Sequence, residues 1–145
     1  MVFESRELPV FSLYDADYPI WCDLIVLEKI QDKVGDILVA EDKIRGYIPS
    51  VDSDGVIDRT IGNFTVPDVD VVCCSLHWMM EEGQYLADTD NEIPSVEDLK
   101  RQDEYSVTEL ALIVFKQFEE CISSKKKKKA NTQKKTDIKT VVRKR

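Results

Sequence analysis

The sequence predicts an α/β (α+β) domain, a small sheet with packed helices, followed by a disordered basic C-terminal tail. Three observations carry that expectation. Leu24-Ile25-Val26-Leu27 and Ile37-Leu38-Val39 are two apolar runs around a Gly-containing link, the form of a strand pair. Val69, Val72, Cys73, Leu76 and Met80 recur at helical spacing. Ser106-Val107-Thr108-Glu109 is a capping box, whose hydroxyl and carboxylate each take a backbone N–H that the first helical turn leaves unpaired.

Residues 1–23 carry no assignable element and are set apart as an N-terminal extension. The strand pair runs from Leu24 to Val39, turning through Gln31-Asp32-Lys33-Val34-Gly35-Asp36. From Ile44 to Val51 the pattern is ambiguous: Ile44, Tyr47, Ile48 and Val51 have helical spacing, whereas Gly46 and Pro49 oppose a helix. Asp52-Ser53-Asp54-Gly55 is a turn, and a further strand is expected through Ile61, Phe64 and Val66. Pro67, Asp68 and Asp70 stand where a helix N-terminus accepts proline and favours acids. The helix carrying Val69 to Met80 therefore begins there, and Gly83 is expected to end it.

After the polar loop Ala87 to Glu92, a short helix is expected from Ser95 to Lys100, with Val96 and Leu99 three apart. The last helix follows the capping box, with Tyr105 and Leu110 placed as a hydrophobic staple. Leu110, Ile113, Val114, Phe118 and Cys121 fall on one face, which is expected in the core. Order is expected to stop near Ser124, because Lys125 to Lys129 repel one another and too little apolar surface follows to offset the entropy of ordering.

The 145 residues carry a formal charge of −8, unevenly spread. Residues 125–145 hold eleven Lys/Arg against Asp137 alone, a net +10, while residues 1–124 hold nine against 27 Asp/Glu, a net −18. So acidic a body repels nucleic acid and favours basic partners, whereas so basic a tail is drawn to phosphate or acidic protein. Lys125, Lys126, Lys127, Lys128 and Lys129, with Arg143, Lys144 and Arg145, are the candidate tail signal. Nuclear import, nucleic-acid contact, shielding of the acidic body and a solvated extension all fit it. Aromatics do not interleave with the lysines, so any nucleic-acid contact would be salt-sensitive and sequence-blind.

No apolar run approaches the roughly 18 residues of a membrane span, and Met-Val-Phe-Glu-Ser-Arg-Glu lacks the basic-then-apolar order of a signal peptide. A nuclear and/or cytoplasmic location with no membrane contact is expected. Cys22, Cys73, Cys74 and Cys121 would then lie in a reducing compartment as free, mostly buried thiols without disulfides. On the same expectation the sequon Asn63-Phe64-Thr65 stays unused.

His77 is the one histidine, and Cys74 three residues earlier invites a Cys–His dyad or half of a metal site. A structural zinc needs four such ligands, yet Cys22 and Cys121 are isolated in the chain and Cys73 points elsewhere on the helix. Asp52-Ser53-Asp54-Gly55 fails as a calcium loop, since with Gly55 sixth the required acid at the twelfth position falls on Ile61. No Gly-rich phosphate loop and no Gly-x-Ser-x-Gly elbow occurs. The carboxylates are evenly spread, as on a solvated acidic surface. No catalytic, cofactor-binding or metal residues are assigned, and a non-enzymatic role is expected.

Ile25-Val26-Leu27 before Gly35-Asp36-Ile37, and Val66-Pro67-Asp68-Val69-Asp70 leading to Leu76-His77-Trp78, are followed by Ile93-Pro94 and Glu109-Leu110-Ala111-Leu112. Over residues 24–122 this order resembles the Skp and elongin C family, adaptors of cullin-type ubiquitin ligases with a POZ (BTB-like) fold. The resemblance implies a POZ-like domain at 24–122 and protein partners, a cullin-type scaffold among them, with the basic tail set off at 123–145 by its charge. Ile113-Val114-Phe115-Lys116-Gln117 departs from the family's Ala-Ala-Asn-Tyr/Phe segment. The Lys tail stands where Skp-type proteins continue into the helices that hold the F-box. That leaves F-box binding without its seat and brings the architecture closer to elongin C. Two function classes follow: a non-catalytic protein-interaction adaptor in a ubiquitin-ligase complex, or a nuclear or nucleic-acid-associated protein acting through its Lys-rich tail.

Overall fold

A computed structural model describes residues 7–123. They form β1 (Val10–Leu13), β2 (Ala16–Pro19), α1 (Leu24–Val34), α2 (Ile37–Arg45), β3 (Tyr47–Val51), β4 (Ile57–Phe64), α3 (Val69–Ala87), α4 (Val96–Arg101) and α5 (Val107–Ile122), an α+β fold. β1 pairs with β2 and β3 with β4, both antiparallel, in two separate sheets. α3 is central, with α1, α2, α4, α5 and β2 packed on it.

The strand pair expected over residues 24–39 is instead α1 and α2, and local chemistry explains why. Asp23 caps α1 by accepting the Val26 N–H at 3.2 Å, and Asp36 caps α2 by accepting the Leu38 N–H at 2.7 Å. Gly35, at φ 101°, donates its N–H to the Gln31 carbonyl. Gly35-Asp36 is thus a helix stop followed by a helix start, not a β-turn. Within the apolar run, Val26 reaches the core together with Ile30 one turn on, while Leu24 and Ile25 stay exposed.

A strand pair does exist, in the segment set apart as an extension. Phe11 and Leu13 alternate inward along β1 and, with Ile20 and Cys22, belong to the buried core. Tyr14 and Asp15 both take positive φ, the backbone of a tight two-residue hairpin turn. Tyr14 is held there from outside: its hydroxyl donates to Asp103 Oδ1 at 2.5 Å and its N–H donates to Glu104 Oε1 at 2.6 Å.

The ambiguous stretch from Ile44 splits at Gly46. α2 ends at Arg45, Gly46 turns left-handed at φ 71°, and β3 follows. A side chain at Gly46 would press on the Thr65 carbonyl and lie 2.9 Å from the Pro67 nitrogen. Asp52 Oδ1 accepts the N–H groups of Asp54 and Val56, which makes Asp52 to Gly55 the expected turn. β4 stops at Phe64, so Val66 lies beyond the strand.

α3 starts where the sequence indicates, with Asp68 accepting the Val71 N–H at 3.0 Å, and buries Val72, Cys73, Leu76 and Met80. Gly83 does not end it. The helix continues to Ala87 and stops at Asp88, which is left-handed at φ 58°. Gly83 is small because the end of β2 lies on it, and the next turn of chain is tied to the helix through the Trp21 N–H and Met79 carbonyl at 3.0 Å.

α4 follows the loop as expected, and α5 carries its capping box. The Glu109 N–H donates to Ser106 Oγ at 3.1 Å, and the Ser106 N–H donates to Glu109 Oε1 at 2.9 Å. Ser106→Ala is expected to lower unfolding free energy by about 0.5–2 kcal/mol, read as a shift of the urea midpoint. An unchanged midpoint would show that packing alone fixes the start of α5. Leu110, Val114 and Phe118 are buried and Ile113 is half-buried.

Candidate interaction surface

The β3–β4 ribbon stands apart from the core and carries apolar side chains outward. Ile48, Val51, Ile57, Ile61 and Phe64 are exposed, Phe64 at 68%. Pairing is regular from Tyr47↔Phe64 to Pro49↔Gly62, then jumps to Ser50↔Asp58, so Arg59, Thr60 and Ile61 bulge out of β4. Gly62 leaves the space that the Tyr47 ring needs, for a side chain there would sit 2.8 Å from it. The Tyr47 hydroxyl then reaches across the bulge to donate to the Arg59 carbonyl at 2.9 Å. Among the described residues this sheet has two strands only, so the outer edge of each lacks a strand partner. An open edge is a template for an added strand.

Arg45 ties the ribbon to the helices. Its guanidinium lies 5.0 Å from the Tyr47 ring centroid, 5.6 Å from Phe64 and 5.7 Å from Phe115. Beneath, the buried carboxylate of Asp42 accepts from Arg59 Nε at 3.2 Å. A cleft of about 400 Å³ opens between Val39, Tyr47, Ile48, Ile57 and Val66. Another, of about 300 Å³, lies between Ile44, Phe64, Pro67, Leu112 and Phe115. Exposed apolar side chains gathered around shallow clefts are suited to binding another surface.

The Cys74–His77 pair suggested by sequence turns to different partners. Cys74 Sγ lies 3.6 Å from Asp70 Oδ1, and burial followed by that carboxylate pushes its thiol up. His77 Nδ1 donates to the Pro94 carbonyl at 2.9 Å, because a carbonyl only accepts, and Nε2 lies 3.5 Å from Glu81. Asp70 is occupied by Lys100 at 2.8 Å and Lys33 at 2.7 Å, which hold its carboxyl down at about 2. Burial pushes the Cys73 thiol up to about 11. Among the described residues no three His, Cys, Asp or Glu side chains are grouped to hold a metal ion.

Two groupings escaped sequence reasoning because their members are far apart in the chain. Cys22 and Cys121, isolated in sequence, line one cleft of about 550 Å³ and act on each other there. Nearby, burial and then a hydrogen bond with Asp23 push the Glu82 carboxyl up to about 7 from an ordinary 4.5. Between those values the folded protein keeps a proton that the unfolded chain gives up. The stabilisation is therefore full below about 4.5 and lost as pH rises through about 7. Urea midpoints should fall over that window in the wild type, and Glu82→Gln should flatten the fall; equal slopes would mean that Glu82 titrates normally.

No family model, curated protein or solved structure matches the chain. Among the described residues no helix is long and apolar enough to cross a membrane. The tail signal residues Lys125 to Lys129 and Arg143 to Arg145 lie outside the described residues.

Proposed function

We propose that this chain is a non-catalytic protein-interaction adaptor of the nucleus or cytoplasm, with a cullin-type scaffold of a ubiquitin ligase as its partner. The observation that carries the reading is the β3–β4 ribbon, an apolar surface with open strand edges beside two shallow clefts. Element order supports the Skp and elongin C likeness. A strand pair opens the domain, though at residues 10–19, Val66-Pro67-Asp68-Val69 leads into the long helix, and a short helix and a capped helix follow. The −18 of residues 1–124 favours a partner surface with basic groups around an apolar centre.

Titration calorimetry of the full chain against the N-terminal domain of a cullin-type scaffold tests this. Binding is expected, and Phe64→Asp, at an exposed position, should weaken it at least about tenfold in a protein that still melts cooperatively. No binding, or binding indifferent to Phe64, would overturn the reading. The tail's net +10 favours a second reading, association with nucleic acid. A chain cut after Ser123 should keep the protein partner under the first reading. Under the second it should lose a salt-sensitive binding to DNA or RNA that the full chain shows.

A further inference from the structure

We propose that Cys22 and Cys121 form a redox-active dithiol, at which a small disulfide such as oxidised glutathione closes a Cys22–Cys121 bond. The geometry supplies the site. Cys22 lies in the link between β2 and α1, Cys121 lies in the last turn of α5, and both open on one cleft with Trp21, Asp23, Gln117 and Glu120. The two thiols act directly on each other at that cleft, which brings chain positions 22 and 121 together at one site.

The two thiols are not equivalent. Cys22 is 6% exposed, whereas Cys121 is half-buried and accessible from the cleft. The neighbouring Cys121, with burial, pushes the Cys22 thiol up, and Cys22 in turn holds that of Cys121 below its ordinary range. Cys121 is therefore the attacking thiolate and Cys22 the resolving thiol. Cys121 Sγ attacks one sulfur of oxidised glutathione, breaking its S–S bond, forming a mixed disulfide and releasing one glutathione thiolate. Cys22 Sγ then attacks Cys121 Sγ and expels the second. The protein loses two thiol protons and two electrons, and two molecules of reduced glutathione carry them away. Cys73 and Cys74 do not compete, since burial pushes both thiols up and Cys74 is turned toward Asp70.

The test equilibrates the full chain with stepped ratios of reduced to oxidised glutathione, traps free thiols by alkylation and maps them by mass spectrometry. Cys22 and Cys121 should be lost together as a linked peptide, Cys73 and Cys74 should stay alkylated, and dithiothreitol should restore all four. The closed form should melt roughly 5 °C or more higher, because the bond spans most of the domain. Cys22→Ala should leave Cys121 as a stable glutathione adduct, and Cys121→Ser should leave Cys22 unmodified. Since Cys22 is buried, a second measurement rests on the half-buried position alone. Phenylarsine oxide, which bridges two adjacent thiols, should bind the reduced wild type stoichiometrically and Cys121→Ser at least tenfold more weakly. Four thiols alkylated alike after oxidation, an adduct on wild-type Cys121 that never closes, or arsenical binding unchanged in Cys121→Ser would each overturn the proposal.

Discussion

Phe118→Ala is expected to lower unfolding free energy by about 3–5 kcal/mol, a large part of the 5–15 kcal/mol that holds a typical domain folded. Phe118 is fully buried on α5, the helix that packs on both α2 and α3. Truncating it removes a ring's worth of apolar burial and leaves a void that the two neighbouring helices close only in part. Urea denaturation followed by circular dichroism gives the number. A loss below about 1 kcal/mol would mean that α5 does not seat against α3 as described.

Gly83→Ala is expected to cost about 2 kcal/mol or more, although alanine is the better helix former by roughly 1 kcal/mol. Gly83 lies inside α3 and is buried. A methyl group there would stand against the Pro19 carbonyl and the Ile20 nitrogen, all of it backbone that no rotamer change can move. Relief comes only by lifting β2 from α3, which would uncover Phe11 and Leu13 on the paired strand. The same melts decide it: a neutral or stabilising Gly83→Ala would show that β2 is not seated on that turn.

These two positions mark where the sequence could and could not be read. Phe118 was legible because a helix face repeats every three or four residues and the Ser106–Glu109 box states where that helix begins; both signals are local. Gly83 reads in isolation as a helix end, and only contact with Pro19, distant in sequence, makes it an interior residue. The run Leu24 to Leu27 misleads for a different reason. Its apolar character suggests a buried strand, yet Leu24 and Ile25 are exposed, and the decision lay with the flanking Asp23 and with Gly35-Asp36 as caps. In the interaction surface, the strand through Ile61 and Phe64 was visible. That its apolar residues face outward was not, because it depends on a bulge in β4 and on Gly62 making room for Tyr47. The Cys22–Cys121 contact has no local signature, and the disulfide-free expectation for these thiols rested on compartment alone.

The docking of the first hairpin has a consequence for how the chain is made. Tyr14 is held by Asp103 and Glu104, the Tyr105 hydroxyl donates to the Ser12 carbonyl at 2.6 Å, and the Phe11 and Tyr105 rings are 5.3 Å apart. These contacts join stretches 89 to 93 residues apart. At ordinary rates of translation, on the order of ten seconds separates the emergence of β1 from that of its partners. Throughout that interval the nascent hairpin lacks the Asp103 to Tyr105 contacts that hold its turn, and until α3 emerges to take β2, Phe11 and Leu13 remain within reach of chaperones or of another unfinished chain. The domain therefore completes its core only as α5 leaves the ribosome.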